Sequence, residues 1–548
     1  MFVRVKKSGT YEYLQIVHNQ RIDGAVRQQV VATLGRLDVL RSTGQLDALL
    51  HSCAKFSEHV AVLDATRQED FEPQDAARLG PPLVFGRLWE ELGLPQVIQT
   101  LLEGRKFQFS VERALFMTVL HRLMVSGSDR AAECWCRGYA LSGMKDLELH
   151  HLYRAMGWLG EALPQAEQPT DQRLGPRCRK DLIEQRLFAR RRDLFQSLEL
   201  VFFDTTSIYF EGEGGESLGQ YGYSKDHRPD LKQMVVGAVL DNTGRPLCCF
   251  LLPGNTADIT TLIPVIDQLK ERFGIHDVCV VADRGMISQE TIEQLESRSL
   301  RYILGARLRQ VKEIREEVLS RGGRYHVVHG PREVSKDPSP LKVKEVSVDG
   351  RRYVVCHNED QAAKDRHDRE AIVAKLEEQL HQGAKSLVGN KGFRKYLRAT
   401  GEAFAVDTEK VQAEARFDGK WVLRTNTDLA TADVALKYKD LLLVESLFRS
   451  MKSILETRPI YHKCDDTIRG HVFCSFLALL LMKELQLRLE KQGHAVEWRR
   501  LLDDLEALQE FMVTTGGKTF VVRTATRGDA GKALGAVGVA LGPKIRQQ

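Results

Sequence analysis

The sequence lacks the features that mark membrane and secreted proteins. No apolar run approaches the roughly 18 residues of a membrane span, and the longest candidate, Val472–Met482, has the length of a buried helix. The N-terminus is basic but has no apolar signal core. We therefore expect a protein of the cytoplasm, with no membrane partner.

Cysteine spacing and net charge indicate no class by themselves. The ten cysteines show no repeated spacing, and neither the Cys134-Trp-Cys136 pair nor Cys248-Cys249 belongs to a zinc set. Reduced thiols are the plain interpretation. The net charge of +5 is modest, but basic residues cluster over residues 172–192 and after Gly516. Each cluster suits either phosphate binding or a solvated surface.

A chain of 548 residues exceeds what one core organises, so we expect two to four domains. There is no internal repeat and no long low-complexity tract. Changes of pattern divide the chain into seven segments. They are an N-terminal β unit with an Asp23-Gly24 turn (1–60), a helical domain (61–165), a basic connector (166–195), the first part of a core of strands and helices (196–309), a β-rich insertion (310–425), the second part of the core (426–515) and a basic tail (516–548).

The core segment has a regular order of predicted elements. Strands are predicted over 200–210, 232–240, 247–252, 278–282 and 301–306, and helices over 260–273 and 289–297. Three antiparallel strands followed by helix, strand, helix and strand predict an α/β fold, a mixed sheet with flanking helices. The strand 278–282 is apolar on both faces, so we expect it in the centre of the sheet.

Carboxylates interrupt two of these apolar strands and one helix. Asp204 lies within LVFFDTTSIYF, Asp283 follows VCVVA, and Glu445 is surrounded by apolar residues in KYKDLLLVESLFRSMKSIL. A buried unpaired acid is unfavourable, and each acid alone could still be a satisfied core or capping residue. Together the three can hold two Mg²⁺ ions about 4 Å apart for phosphoryl transfer.

The predicted glutamate helix carries a polar stripe. Tyr438, Glu445 and Lys452 are seven residues apart, so they would share one face of a continuous helix. This face suits a polar ligand, and it equally suits an ordinary solvated stripe.

The chain resembles the DDE transposases of bacterial insertion sequences, of the cut-and-paste kind with a Tyr-x2-Arg-x3-Glu-x6-Lys helix. The matching blocks are LVFFDTTSIYF, YSKDHRPDLKQMVVGAVLD, VCVVADRGMIS, WVLRTN and YKDLLLVESLFRSMKSILETRPIYH, in the family's order over residues 196–480. The N-terminal β unit with LGRLD is also similar to members of this group. The resemblance implies an RNase H-like fold with a β-rich insertion before the glutamate helix.

The resemblance also implies roles for single residues. Asp204, Asp283 and Glu445 take the metal-ligand places, and Tyr438 and Lys452 match the motif's tyrosine and lysine, which would meet DNA beside the cut. Leu441 replaces the motif's arginine, which departs from the pattern. Arg449 either supplies that charge or forms an i,i+4 pair with Glu445; we favour the pair.

Further residues are assigned by position. Trp421 stands where related enzymes place a tryptophan that stacks on a flipped base, although a core role is an open alternative. Arg228 and Lys232 are expected to contact phosphate, and Asp226 to lie on the surface or face DNA. Asp258 is expected to cap the next helix.

The implied function is transposition, with segment 61–165 as a DNA-binding domain and segments 196–309 and 426–515 as the catalytic core. The partners would be double-stranded DNA, both transposon ends and target, and a second copy of the chain in a synaptic dimer at the bacterial nucleoid. The implied cofactor is Mg²⁺ as two ions, with Mn²⁺ as a substitute. Two alternatives are an RNase H-like nuclease that cuts without joining and a non-catalytic, transposase-derived DNA-binding protein; the complete Asp-Asp-Glu set argues against the latter.

Overall fold

A computed structural model describes ten stretches of the chain. They are residues 1–22, 25–54, 72–171, 173–191, 200–275, 278–334, 337–382, 395–400, 403–515 and 518–547. The predicted Asp23-Gly24 turn lies outside these residues. The chain divides into two compact units, one of residues 1–84, 137–141 and 491–548, the other of residues 85–136 and 142–490.

The N-terminal part of the first unit is a three-stranded antiparallel sheet. Its strands are β1 (Phe2–Ser8), β2 (Tyr11–Ile22) and β3 (Ala25–Arg36), paired in that order. The helices α1 (Leu37–Ser42) and α2 (Gln45–Ala54) follow, and strand β4 spans Glu72–Arg78. Leu14, Leu37 and Leu40 form the small core of this region.

Helices dominate the next part of the chain. They are α3 (Gly80–Glu91), α4 (Leu94–Leu101), α5 (Val111–Met124), α6 (Asp129–Trp135), α7 (Leu149–Gly160) and α8 (Arg179–Arg191). Helix α5 begins after Ser110, whose hydroxyl accepts a hydrogen bond from the Arg113 N–H. The basic run before residue 192 is largely helix α8, and Lys180 in it is buried rather than solvated.

The predicted order of strands and helices in the core is confirmed. The elements are β5 (Leu200–Tyr209), β6 (Gln233–Leu240), β7 (Pro246–Pro253), α9 (Leu262–Phe273), β8 (Cys279–Ala282), α10 (Gln289–Ser297) and β9 (Arg301–Gly305). Ser288 caps α10 by accepting from the Thr291 N–H. Apolar residues of α9 and α10, including Leu269 and Leu295, pack on apolar residues of β5, β8 and β9, such as Val280 of β8.

The following segment adds strands to the same sheet. It contains β10 (His326–His329), β11 (Leu341–Val348), β12 (Arg351–His357), α11 (Glu359–Gln382), β13 (Leu397–Thr400), β14 (Ala403–Val406), α12 (Thr408–Ala415) and β15 (Lys420–Thr425). The nine-stranded order is β10-β11-β12-β15-β9-β8-β5-β6-β7. Only β5–β8 and β8–β9 are parallel pairs among these described strands. The apolar strand β8 is central, as predicted.

The last part of the chain returns to helices and then to strands. Its elements are α13 (Thr431–Lys439), α14 (Leu442–Ser453), α15 (Asp465–Lys491), α16 (Trp498–Glu506), β16 (Gln509–Thr515), β17 (Lys518–Arg523), α17 (Ala530–Ala536) and β18 (Ile545–Gln547). Strands β18, β17, β16 and β4 form one antiparallel sheet. Residues 516–548, expected as a basic tail, therefore contain two strands and a helix.

Within the described residues, no helix is both long enough and apolar enough to cross a membrane. Val472–Met482 lies inside α15, and its residues are buried, as expected for a core helix.

Candidate active site

Asp204, Asp283 and Glu445 line one cavity of about 450 Å³. Asp204 lies within β5, and Asp283 directly follows β8. These strands are parallel neighbours with Phe203 opposite Ala282, so the two acids leave the same edge of the sheet side by side. Glu445 comes from the first turn of α14.

The carboxylate of Asp204 has no ion pair among the residues that the structure describes. Its Oδ1 accepts a hydrogen bond from the Thr205 N–H at 2.7 Å. Burial raises the pKa of Asp204 to about 6, with Asp283 and Asp258 adding to the shift, while Lys225 and the Thr205 N–H oppose it. Burial therefore disfavours the ionised form of Asp204 unless a cation approaches its carboxylate.

Tyr438 orients Asp283. The Tyr438 hydroxyl, at the end of α13, donates to Asp283 Oδ1 at 2.9 Å. Burial and the adjacent Asp283 raise the pKa of Tyr438 far above its usual value, so the phenol keeps its proton and remains a donor. Gly305 provides the space, because a Cβ there would lie 2.3 Å from the Tyr438 hydroxyl oxygen.

The predicted continuous glutamate helix is wrong. Helix α13 ends at Lys439 and α14 begins at Leu442. Between them, the Leu441 N–H donates to the Tyr438 carbonyl at 3.1 Å and the Val444 N–H to the Leu441 carbonyl at 3.0 Å. These three-residue spacings tighten the turn and separate Tyr438 from the helix that carries Glu445 and Lys452.

Lys452 is held by a buried acid outside the cavity lining. Its Nζ donates to Asp226 Oδ1 at 2.8 Å, and Arg458 also pairs with Asp226. The Asp226 side chain is 5% exposed, so the expected surface position of Asp226 is wrong. Burial lowers the pKa of Lys452, against the opposing effect of Asp226.

Arg449 and Leu441 occupy different environments. Arg449 is exposed, and the structure records no ion pair between Arg449 and Glu445, both of which lie in its described part. The favoured i,i+4 pair is therefore not formed. Leu441 is buried and lines the cavity.

Sequence reasoning missed the cations that line the cavity. They are Arg284, Arg309, Lys420 and Lys439. Arg284 directly follows Asp283 in VCVVADRGMIS, and Lys420 directly precedes WVLRTN. Their positions beside these two blocks could have identified them from the sequence. Arg309 also forms an ion pair with Glu414, in which its Nε lies 2.9 Å from Glu414 Oε2.

Trp421 forms part of the cavity wall and is half-buried. It lies at the start of β15 opposite Cys356 of β12. Its neighbour Val422 belongs to an apolar cluster to which β11, β12 and β15 all contribute side chains. Trp421 is not part of this cluster. Trp421 is thus placed at the cavity and outside this apolar cluster.

Arg228 and Lys232 do not line this cavity. Arg228 pairs with Asp230 at 2.8 Å and lies 5.5 Å from the centre of the Tyr209 ring. Lys232 pairs with Glu213. Both cations already have a neighbouring carboxylate, which an incoming phosphate would have to replace.

Asp258 is not a helix cap. Its Oδ1 accepts from the Thr205 hydroxyl at 2.6 Å, and its Oδ2 pairs with Lys225 at 3.0 Å. Lys225 also donates to the Thr205 carbonyl at 2.8 Å. These contacts fix the strand residue next to Asp204, and sequence reasoning did not assign them.

The donors of the cavity fit divalent magnesium. The three recognised acids offer only oxygen, which Mg²⁺ prefers, and the raised pKa of Asp204 shows that a positive charge would be stabilising. In the described part of the chain, these acids are not a set whose oxygens all lie within 4.8 Å of one another.

The chain was compared with known proteins. Residues 3–67 match the family described as "IS1634 family transposase, N-terminal domain". Residues 196–481, more than half of the chain, match "Transposase DDE domain". No curated protein matches.

Two solved structures are similar in part. A piggyBac transposase synaptic complex with hairpin DNA is 12% identical, with a TM-score of 0.34, covering 78% of this chain and 79% of that one. A Mos1 transposase paired-end complex with the left transposon end is also 12% identical, with a TM-score of 0.15, covering 36% of this chain and 60% of that one. By its two sequence matches, the chain belongs to the DDE transposases of bacterial insertion sequences.

Proposed function

We propose that this protein is a cut-and-paste transposase that binds the terminal inverted repeats of its element, cleaves them by metal-dependent phosphoryl transfer and joins the 3′-OH ends to target DNA. The observation that carries the proposal is the convergence of Asp204, Asp283 and Glu445 on one cavity. Its partners are double-stranded DNA and a second copy of the chain, paired at the bacterial nucleoid.

The sheet supports an RNase H-like assignment. If β5 to β9 are numbered 1 to 5 in chain order, their spatial order across the sheet is 3-2-1-4-5. The first of them, β5, is parallel to the fourth, β8. Asp204 within the first strand and Asp283 directly after the fourth are then neighbours, which is the arrangement this chemistry requires. The strands of residues 310–425 extend the sheet beside β9 and bring Trp421 to the same cavity.

Each cavity residue has a role that follows from its contacts. Asp204, Asp283 and Glu445 would hold two Mg²⁺ ions, or Mn²⁺ in their place. When bound, the ions polarise the phosphate and make a water or 3′-OH more nucleophilic. Tyr438 keeps Asp283 oriented through its hydrogen bond.

The cations around the acids suit the DNA backbone. Arg284, Lys420 and Lys439 line the cavity beside the acids, where they would meet phosphates flanking the cut. Lys452, held by Asp226, would contact the terminal phosphate from outside the cavity. Trp421 would stack on a base moved out of the duplex.

A cleavage and joining assay tests the proposal. The substrate is a duplex with the element's own terminal repeat, read from the genomic flanks, incubated with target DNA and Mg²⁺. We expect nicking at the repeat end and covalent joining, with two protein copies per pair of ends by light scattering. Cutting without joining would assign the nuclease instead, and binding without cutting the non-catalytic protein.

Matched variants connect the activity to the cavity. Asp204→Asn removes a cavity acid, whereas Asp230→Asn removes an exposed acid paired with Arg228. Only the first should abolish cleavage, while both should bind the terminal repeat in a gel shift. Equal cleavage by the two variants would contradict the assigned site.

A further inference from the structure

A second cavity of the larger unit, of about 610 Å³, has an acid and two histidines on its wall. They are Asp129, the first residue of α6, His462, in the segment before α15, and His471 on α15. Of the residues that the structure describes, these three form the one group of His, Cys, Asp or Glu with ligand atoms all within 4.8 Å of one another. The proposed transposase chemistry does not use them.

The spacing of the three ligand atoms is that of a tetrahedral zinc site. Asp129 Oδ2 lies 3.3 Å from His462 Nε2 and 3.8 Å from His471 Nδ1, and the two ring nitrogens are 3.1 Å apart. Zinc bonds of about 2.0–2.1 Å at tetrahedral angles separate neighbouring ligand atoms by about 3.3 Å. The group is therefore already close to the required shape.

Surrounding contacts orient the ligands. His471 Nε2 lies 3.2 Å from the Thr457 carbonyl, so the Nε2–H donates there and the Nδ1 lone pair points to the other two ligands. Such a carbonyl partner is typical of metal-binding histidines. Arg122 donates to Asp129 Oδ1 at 3.2 Å, which leaves Oδ2 for an ion.

Arg122 also competes with an ion for His471. Its Nη2 lies 2.9 Å from His471 Nδ1, and a bound ion would displace this contact. The guanidinium would retain Asp129 Oδ1, the Ser475 hydroxyl at 2.7 Å and the His471 carbonyl. Because these partners remain, Arg122 weakens ion binding without preventing it.

We propose that Asp129, His462 and His471 bind a Zn²⁺ ion, with the fourth position open to the cavity. Two imidazoles and a carboxylate suit zinc, and three protein ligands leave one place for water. The ion would tie α6, α15 and the segment between α14 and α15 together. That segment carries Arg458, which pairs with Asp226, the partner of Lys452.

The test uses the full chain after removal of metal with a chelator. Zinc affinity is measured by competition with a chromophoric chelator, and Co²⁺ is used as a probe whose visible absorption reports tetrahedral coordination. We expect one zinc site per chain. His462→Gln should weaken binding by about tenfold or more, whereas His462→Cys keeps a ligand and should retain the site with a sulfur-to-cobalt charge-transfer band.

Two controls separate this site from other effects. His150→Gln removes an exposed histidine on α7 outside the group and should bind zinc like the wild type. Asp204→Asn should also keep the zinc site although cleavage is lost, so failure of the zinc site and failure of the transposase proposal are distinguishable.

Melting curves complete the test. Zinc should raise the melting temperature of the wild type and of His462→Cys, because ligand binding to the folded state stabilises it. It should raise the melting temperature of His462→Gln by less, because weaker binding stabilises less. Equal zinc affinity of the wild type and His462→Gln, or a melting temperature that depends on His462 but not on zinc, would overturn the proposal in favour of a plain hydrogen-bond network.

Discussion

Two groups of charged side chains in the larger unit differ in how their charges are paired. The first, here called the α8 charge cluster, consists of Lys180, Asp181, Glu184 and Arg272, each less than 10% exposed. Lys180 pairs with Asp181 at 2.8 Å and Arg272 with Glu184 at 2.5 Å. Burial opposes ionisation of Asp181, but Lys180 and Arg272 lower the pKa of Asp181 below its usual value.

The cavity lined by Asp204, Asp283 and Glu445, here called the acidic cavity, differs because these three acids form no ion pair in the described part of the chain. Burial and two neighbouring acids raise the pKa of Asp204 to about 6. In the α8 charge cluster the chain supplies both signs, so the cluster can only support the fold. In the acidic cavity the three carboxylates have no ion pair within the described residues, although Arg284, Arg309, Lys420 and Lys439 also line it, and carboxylates without an ion pair are what a site for external cations requires.

The largest expected effect concerns the acidic cavity. Asp204→Asn, Asp283→Asn and Glu445→Gln should each reduce Mg²⁺- or Mn²⁺-dependent cleavage by about 10³-fold or more, because each removes a metal ligand. Unfolding should need at least as much denaturant as in the wild type, since no internal ion pair is lost. A variant that still cuts in Mg²⁺ would remove its acid from the site.

The α8 charge cluster should respond in the opposite way. Glu184→Gln leaves Arg272 without its nearest carboxylate and should lower the free energy of unfolding by about 3–5 kcal/mol. Glu161→Gln, which loses half-exposed pairs with Arg105 and Arg179, should lose about 0–1 kcal/mol. Urea unfolding of both variants measures the difference. Equal losses would mean that burial of the cluster does not matter.

The helix residues allow a finer comparison. Lys452→Ala should lower cleavage by about tenfold at moderate salt, because a phosphate contact is lost. Tyr438→Phe should lower it less, since the ring remains and only the hydrogen bond to Asp283 is removed. Wild-type cleavage by Lys452→Ala would favour a purely structural pair with Asp226.

Trp421 distinguishes a base platform from a packing residue. Trp421→Ala should leave the first nick nearly normal and slow hairpin formation by about tenfold, because stacking on an extruded base contributes about 1–3 kcal/mol. Nick and hairpin are followed separately on a denaturing gel, with a melting curve beside them. Joint loss of both steps and about 3–5 kcal/mol of stability would indicate core packing instead.

The smallest effect is the pH dependence of the metal-free protein. The folded pKa of Asp204, about 6, lies above its ordinary value of 3.8, so the folded state binds this proton more tightly than the unfolded state. Stability should therefore fall as the pH rises from about 4 to 6, by roughly 1–2 kcal/mol, and remain lower above that window. Asp204→Asn should lack this part of the pH profile; an unchanged profile would contradict the buried, ionisable acid.

The local order of the core follows from the sequence. Alternating and continuous apolar runs predict β5 to β9 with α9 and α10 to within two residues, because burial on one or both faces leaves a direct mark on residue pattern. The seven segment boundaries and the roles of the site residues stay predictions. The pairing of β15 with β9, which continues the sheet into residues 310–425, leaves no comparable pattern in the sequence.

Only the tertiary structure decided which charged and polar side chains contact one another. The sequence by itself predicted apolar surroundings for Asp204, Asp283 and Glu445, but Asp204 and Asp283 are half-buried and Glu445 is exposed. Strand order then suffices to place Asp204 and Asp283 side by side. The sequence did not determine that Asp226 is buried against Lys452, that Asp258 binds Thr205, or that Tyr438 and Glu445 lie on separate helices. Polar partners are chosen by distance across the fold, and residues over 200 positions apart, such as Asp226 and Lys452, leave no periodic signal in the chain.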